Sequence, residues 1–235
     1  GAGKSTTLKI MLDFMKPDSG KVELFGQPMS EAAKDKIGYL PEARGLYKDL
    51  TAIDCILYLA SLKGMDKTRA RQRADELLAQ IGMLESKKKK IKHMSKGMGQ
   101  MIQFVVTILH DPELLIMDEP FSGLDPVNTE RMKNVISKLR DEGKSIILST
   151  HQMNQVEELC DRILMINHGE EVLYGELKEV KSRFKEHSVQ VSAEGEFGDL
   201  PGVIEKRLNK EGVELVLADD ASPQEILDQL RKRGV

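Results

Sequence analysis

The sequence has no tryptophan, and its 235 residues include only four tyrosines, six phenylalanines and two cysteines. So few aromatic side chains leave no obvious stacking platform for an adenine ring. Cys55 and Cys160 lie far apart and have no companions in metal-ligand spacing, so we expect reduced core residues of a cytosolic protein. No apolar run approaches the ~18 residues that cross a bilayer, and a net charge of −3 argues against nucleic acid as the main partner.

The composition is that of a globular chain able to bury a core, because 40% of the residues are hydrophobic and 31% are charged. The pattern predicts a first helix from Lys4 to Lys16, a helical region over about 51–110, and then alternating strands and helices. Such alternation is typical of a parallel sheet covered by helices on both faces. A change of character near Ser188 predicts domains at 1–186 and 187–235, the second a small α+β module.

The most informative segment is an apolar run that ends in two carboxylates, Leu114 to Glu119. Four apolar residues before the acids predict a buried strand of a parallel sheet. At the carboxyl end of such a strand, Asp118 could bind a metal ion and Glu119 could polarise a water molecule. The alternative is a strand that ends in solvent at a turn, although burying unpaired charge without a function is costly.

The N-terminus has the second half of a phosphate-binding loop, G-x-x-x-x-G-K-[ST]. Glycines let backbone N–H groups approach phosphate oxygens, Lys4 adds a point charge, and Ser5 offers a hydroxyl to magnesium. The alternative is an ordinary helix start with small residues, which the acidic strand downstream makes a poor explanation. The predicted phosphate-binding residues are Gly1, Ala2, Gly3, Lys4, Ser5 and Thr6.

The first glycine of that loop and the strand that should precede it are absent from the sequence. We therefore expect a piece of a longer chain, shortened at the C-terminus as well. Losing two phosphate-facing amides, at about 1.5–3 kcal/mol each, would weaken nucleotide binding by roughly two to four orders of magnitude. This polypeptide by itself is expected to bind ATP poorly, whereas its parent binds ATP well.

Three further features can join the same site. His151 follows a predicted strand and could donate to a γ-phosphate oxygen, although a single histidine there can also be structural. Ser95, Lys96 and Gly97 open a helix, whose first N–H groups bind anions or simply receive a cap. Glu42 stands in the loop after the strand that ends in Tyr39-Leu40-Pro41.

In this order the motifs resemble those of ATP-binding cassette (ABC) ATPases, the motor subunits of ABC transporters. The resemblance extends over residues 1–176. Residues beyond it resemble the small C-terminal domain of one ABC-2-type exporter branch, which includes sodium-efflux and drug-efflux systems. The implied fold is an α/β P-loop NTPase with a parallel sheet flanked by helices, an inserted α-helical subdomain and a small C-terminal α+β module.

The resemblance implies ATP as the substrate and Mg²⁺ as its metal ion. Asp118 and Ser5 would bind the metal, Glu119 would be the catalytic glutamate, and His151 the switch histidine. Glu42 occupies the position where most members have glutamine, and its carboxylate can still contact magnesium or the attacking water. Asp125 would lie in the turn that communicates across a dimer.

The helix-opening signature departs from Leu-Ser-Gly-Gly-Gln, because this chain has Met-Ser-Lys-Gly-Met. Ser95 and Gly97 keep their positions, and Lys96 would bring an extra cation near the phosphate of a partner, which predicts a modest tightening of the closed state. The implied partners are a second ABC ATPase subunit, in a head-to-tail homodimer or heterodimer, and a transmembrane permease subunit. The implied location is the cytoplasmic face of a prokaryotic cell membrane, with membrane contact through the permease alone.

Two alternatives remain open at this point. One is a non-transport ABC ATPase of the translation-factor or DNA-repair type. The DNA-repair type needs a long coiled coil between Glu42 and Ser95, for which the intervening sequence is too short. The translation-factor type usually joins two cassettes by a basic linker, whereas this chain has one cassette and a net charge of −3. The other is a catalytically impaired fragment that acts only as a binding module, against which Glu119 and His151 argue.

Overall fold

The computed structural model describes residues 2–43, 45–183, 188–191, 200–209, 212–218 and 221–232. They form two compact units, which divide between Tyr174 and Gly175. This division lies before the predicted one at 186/187, because the helix Leu177–Arg183 belongs to the second unit. Within the described residues, no helix combines the length and the apolar character needed to span a membrane.

The first unit alternates strands and helices, with 3₁₀ turns at Leu84–Ser86 and Ile91–His93. Its helices are α1 Lys4–Met11, α2 Glu31–Asp35, α3 Ala52–Leu62, α4 Lys67–Gln80, α5 Lys96–Ile108, α6 Pro126–Asp141 and α7 Met153–Leu159. Its strands are β1 Glu23–Leu24, β2 Gln27–Pro28, β3 Ile37–Leu40, β4 Leu114–Asp118, β5 Ser145–Ser149, β6 Arg162–Asn167 and β7 Glu170–Glu176, the last running across the boundary.

The central sheet has the strand order β3-β4-β5, and both pairs are parallel. All five residues of β4 are buried, as expected of a middle strand covered on both faces. Leu114 and Ile116 face the cluster that includes Leu8 of α1 and Leu12, the residue after its last turn. Leu115 and Met117 face the larger cluster, to which α3, α4, α5 and α6 contribute. Alternation along β4 therefore places Asp118 on the face that α1 covers.

The first helix ends earlier than the predicted Lys16, at Met11. Asp13 takes a left-handed conformation with a φ of 61°. The Phe14 N–H then donates back to the Lys9 carbonyl at 2.9 Å, and the Asp13 N–H donates to Ile10 at 3.1 Å. This pair of hydrogen bonds is a Schellman-type helix end formed without glycine, so the residue type that usually marks such an end is missing here.

The second unit contains α8 Leu177–Arg183, α9 Pro223–Lys232 and an antiparallel sheet of order β8-β10-β9. The strands are β8 Ser188–Val191, β9 Val203–Asn209 and β10 Gly212–Leu217. Leu215 and Leu217 pack with Ile226 and Leu230 of α9 in a small apolar core. The sequence did not predict β9, because Glu205 to Arg207 interrupt its apolar pattern with consecutive charges.

Candidate functional site

Three parallel strands end at one edge of the central sheet, and the segments that follow them carry the predicted site residues. The pairing register matches Leu40 with Met117 and Asp118 with Ser149. Carboxyl ends of parallel strands therefore bring the loop of Glu42, the acidic end of β4 and the turn of His151 to the same edge. Ligands of open α/β sheets bind in this position.

Asp118 is 3% exposed, and its Oδ1 atom has no hydrogen-bond partner. Ser149, directly opposite in the register, is 6% exposed and its hydroxyl is also unpaired. Both side chains belong to the sheet face covered by α1. A buried carboxylate oxygen without a donor is costly unless a cation binds it. The pair of unsatisfied oxygens thus fits a hard, oxygen-preferring ion such as Mg²⁺.

The helix on that face begins at Lys4, immediately after Gly3. Gly3 has a φ of 106° and offers no side-chain cap to the first turn, so the early N–H groups are free for an anion. The Ala2 carbonyl accepts a 3.0 Å hydrogen bond from Gly169 in the β6–β7 turn. Within residues 2–43 and the other described ranges, the Lys4 ammonium has no ion pair. Gly1, also predicted to bind phosphate, lies outside the described residues.

The remaining phosphate-loop residues lie within the first turn of α1. Ser5 is partly buried, whereas Thr6 is exposed. The next residue, Thr7, donates both its N–H and its hydroxyl to the Gly3 carbonyl, at 2.9 and 3.0 Å. These bonds fix the start of the helix, and they leave the Ser5 hydroxyl available to a ligand.

Glu119 takes a left-handed conformation with a φ of 48°, which is strained for a residue with a Cβ atom. Its N–H still donates to the Ser149 carbonyl at 2.9 Å, so the strand pairing continues by one residue. Its side chain is 15% exposed, and Oε1 lies 2.8 Å from Nδ1 of His151, whose side chain is 70% exposed. The acid and the histidine are thus brought together, as the sequence predicted.

The turn that carries His151 is held by a chain of side-chain hydrogen bonds. The Thr150 hydroxyl donates to Oε1 of Gln155 at 2.9 Å and accepts from the Gln152 N–H at 3.1 Å. The Gln155 amide donates to Oε1 of Gln152 at 2.8 Å, and Gln155 is buried. Sequence reasoning missed Ser149 and Gln155. Strand register could have indicated Ser149, but no local signal indicated Gln155.

The predicted signature residues, Ser95 to Gly97, lie at the start of α5. Ser95 caps the helix by accepting from the Met98 N–H at 3.1 Å. Gly97 is buried, and a Cβ placed there would lie 3.2 Å from the Gly123 carbonyl oxygen. The Lys96 side chain passes over Gly123, whose own added Cβ would lie 2.9 Å from Cδ of Lys96. The stem of Lys96 therefore packs within its own chain.

Asp125 caps α6, a role that the sequence did not predict. Its Oδ1 accepts from the Asn128 N–H at 2.9 Å, and its Oδ2 accepts from the Asn128 side-chain amide. Donation from the Asn128 backbone and side chain lowers the pKa of the exposed Asp125 carboxyl. Both oxygens are engaged inside the chain, which fixes Asp125 against the first turn of α6.

Glu42 is exposed in the loop after β3. Among the described residues, neither a hydrogen bond nor an ion pair joins it to Asp118. The described ranges also contain no group of three or more His, Cys, Asp or Glu side chains that could hold a metal ion. A magnesium site of this kind would use Asp118 with hydroxyl and phosphate oxygens rather than an all-carboxylate cage.

Known proteins are similar to this chain in sequence and in fold. Residues 1–122 match the ABC transporter family, and residues 175–235 match the C-terminal domain of DrrA1-3-like ATP-binding proteins. The chain is 39% identical to the uncharacterized ABC transporter ATP-binding protein YhaQ of Bacillus subtilis, over 100% of this chain and 80% of that protein. It is 36% identical to the bacitracin transport ATP-binding protein BcrA of Bacillus licheniformis, over 79% and 62%.

A solved structure of an ATP-binding subunit of an ABC transporter superposes with a TM-score of 0.71 and 29% identity, over 78% of each chain. The predicted fold class and the predicted family are therefore confirmed, while the roles of the individual site residues stay predictions. The chain belongs to the ABC transporter ATP-binding proteins, as an ABC-type ATPase of the branch that carries the DrrA1-3-like C-terminal domain.

Proposed function

We propose that the protein is the ATP-hydrolysing motor of an exporter, in which two cassettes close head-to-tail on ATP and drive efflux through a separate transmembrane subunit. One observation carries this proposal. The buried, unpaired Oδ1 of Asp118 stands one residue before Glu119, whose carboxylate contacts His151 at 2.8 Å. A protein that only bound nucleotide would have no need of an acid held ready beside a histidine.

The residues divide the work as follows. Lys4 and the first-turn N–H groups of α1 bind the β- and γ-phosphates, and Asp118 and Ser5 would hold Mg²⁺. When bound, the metal ion would supply positive charge against the negative charge that develops on the phosphates. Glu119 orients the attacking water and accepts its proton. The remainder of catalysis is positioning and charge stabilisation.

His151 has two available tasks, one for each ring nitrogen. With both ring nitrogens protonated, Nδ1 donates to the Glu119 carboxylate and Nε2 donates to a γ-phosphate oxygen. Loss of that phosphate after hydrolysis removes one partner of the histidine. This gives the turn after β5 a way to distinguish ATP from ADP.

A second copy would complete the site. Ser95 and Lys96 are exposed at the start of α5, and in a head-to-tail pair with two-fold symmetry this end of the helix, with Gly97, would close over the γ-phosphate bound by the other copy. Because Lys96 packs on Gly123 of its own chain, its ammonium can reach a partner's phosphate only from the tip of the side chain.

The experiment is steady-state hydrolysis of MgATP by the purified full-length protein across a range of protein concentrations. The rate per molecule should rise with protein concentration, because two copies form one complete site, and it should rise further when the permease is added in detergent or liposomes. Phosphate release no faster than in buffer, or a rate per molecule that is independent of concentration and of the permease, would overturn the proposal.

A further inference from the structure

The strand β3 lies at one edge of the central sheet, and its outward carbonyls need partners. The Lys36 carbonyl accepts from the Leu114 N–H of β4 at 3.1 Å. Because carbonyl directions alternate along a strand, those of Ile37, Tyr39 and Pro41 point away from β4. Among the described strands, none pairs with this outer side of β3.

Side chains of one helix satisfy these carbonyls in place of a strand. Nε2 of His110 lies 3.0 Å from the Ile37 oxygen. The Thr107 hydroxyl is 2.9 Å from the Gln103 carbonyl of its own helix and 3.3 Å from the Tyr39 oxygen. The Gln103 amide donates to the Pro41 oxygen at 3.4 Å. The three residues, which we call the polar stripe, are spaced by four and three positions and therefore share one face of α5 and its C-terminal end.

Gln103 differs from the other two members of the polar stripe because its amide reaches the loop that follows β3. Its amide also donates to the Ala43 carbonyl at 3.4 Å, so the two accepting carbonyls stand on either side of Glu42. Gln103 is 5% exposed, and its Oε1 is buried without a hydrogen-bond partner. The same helix face also holds Gln100, whose amide donates to the Pro120 carbonyl, beside Glu119, at 3.1 Å.

We propose that Gln103 is the positioning residue for Glu42, and that it links the position of Glu42 to the helix that begins at Ser95. Because α5 is one continuous helix, a shift of its signature end moves the Gln103 amide and the two carbonyls that it holds. Glu42 then reaches or leaves the metal site of Asp118 according to the position of α5. The inference deepens the proposed function and depends on it for the role of Glu42.

The first test needs neither nucleotide nor hydrolysis. Hydrogen–deuterium exchange is measured on the full-length, nucleotide-free protein for the peptide that covers residues 40–47. Gln103→Met keeps the side-chain volume and removes the amide, so exchange there should rise about 3- to 10-fold, the effect of losing the two long hydrogen bonds to Pro41 and Ala43. Thr107→Val, the matched control on the same stripe, should loosen residues around Tyr39 and leave 42–47 unchanged.

The second test asks whether Gln103 acts through Glu42. The Mg²⁺ concentration that gives half-maximal hydrolysis is measured for Gln103→Met, Glu42→Gln and the double variant. Gln103→Met should raise it about 3- to 10-fold alone and add little to Glu42→Gln, whereas Thr107→Val should leave it unchanged. Should Gln103→Met not fold, Gln103→Asn retains the amide on a shorter stem and should show the same order of effects at smaller size.

Equal exchange in 40–47 for wild type and Gln103→Met, or equal loosening of the whole unit by both stripe variants, would overturn the inference. Effects of Gln103→Met and Glu42→Gln on the Mg²⁺ requirement that simply add would overturn it as well. If the protein hydrolysed no ATP, the proposed function would fail, while the exchange experiment would still report whether Gln103 holds the Glu42 loop.

Discussion

Nδ1 of His151 lies 2.8 Å from Oε1 of Glu119, although the two residues are 32 positions apart in the sequence. The contact exists because β4 and β5 are adjacent and parallel, so their carboxyl ends stand side by side. It also uses the strained backbone of Glu119, whose φ of 48° turns the side chain out of the strand direction. Strain of this kind is retained where a function requires it.

Replacing Glu119 with glutamine should separate ATP binding from hydrolysis. Glutamine is nearly isosteric but cannot accept a proton, so we expect kcat to fall by about 10²–10⁴ while MgATP still binds. The unhydrolysed nucleotide should hold two copies together as a closed dimer. Phosphate release and analytical ultracentrifugation with ATP measure the two effects.

Glu113→Gln is the control for this substitution, since Glu113 precedes the opposite end of β4 and its side chain is half-exposed beside Lys36. Its turnover should equal that of the wild type. Wild-type turnover in Glu119→Gln would remove Glu119 from the proposed chemistry.

Asp118→Asn should raise the stability of the nucleotide-free protein and should remove the stabilisation that MgATP gives to the wild type. The native carboxylate is buried with an unpaired oxygen, and neutral asparagine removes the cost of burying that charge, which we place at about 1–3 kcal/mol. For a chain of this size this corresponds to a Tm increase of roughly 2–4 °C per kcal/mol in EDTA.

Saturating MgATP should raise the Tm of the wild type, since a ligand at 100 times its Kd adds about 2.7 kcal/mol. It should not raise the Tm of Asp118→Asn. Asp141→Asn, which changes a carboxylate with 69% side-chain exposure, is the control and should respond to MgATP like the wild type. A full MgATP response in Asp118→Asn would show that this carboxylate does not hold the metal ion.

Sequence reasoning indicated the candidate site residues better than it indicated the residues that support them. Asp118, Glu119 and His151 stand out because acids and histidines at strand ends carry a local signal. The polar stripe carries no such signal, since Gln103 and Thr107 in a helix read as ordinary polar positions. Their meaning depends on the free edge of β3, which only the assembled sheet defines.

Two helix boundaries illustrate the same limit. α4 ends at Gln80, two residues before Gly82, whose φ of 68° is the conformation that a glycine after a helix signals. The end of α1 was missed, because Asp13 adopts the left-handed conformation that the sequence reserves for glycine. The capping of α6 by the Asp125 carboxylate was not predicted, because the family motif ends at Asp125 and does not describe the helix that follows.

Gly38 should not tolerate a side chain, because α5 packs directly on β3 at this point. A Cβ at Gly38 would stand 2.4 Å from the backbone oxygen of Thr107, and a helix backbone cannot yield as a side chain can. Overpacking of this kind costs about 1–3 kcal/mol. We expect Gly38→Ala to lower the urea midpoint of unfolding accordingly.

Gly45→Ala is the matched control for that prediction. No atom lies within 4 Å of a Cβ built at Gly45, so its stability should change by no more than about 0.5 kcal/mol. Equal midpoints for Gly38→Ala and the wild type would mean that α5 and β3 are farther apart than the structure places them.

His110 should make the stability of the fold depend on pH near neutrality. Burial lowers the pKa of His110 from its ordinary value near 6.5, against the opposing effect of the Ile37 carbonyl. Lys63 lowers this pKa further, whereas Asp35 and Asp111 raise it. The unfolded chain therefore takes up a proton at a higher pH than the folded chain does. The stabilisation is fully present above about pH 6.5 and is lost as the pH falls toward the lower folded pKa.

The measurement is the urea-derived free energy of unfolding between pH 7.5 and pH 5.5, for the wild type and for His110→Gln. Glutamine can donate to the same Ile37 carbonyl but does not titrate, so groups common to both proteins cancel in the comparison. The wild type should lose up to about 1.4 kcal/mol per pH unit more than the variant, the limit set by one proton. Parallel curves would mean that the imidazole titrates alike in the folded and unfolded chains.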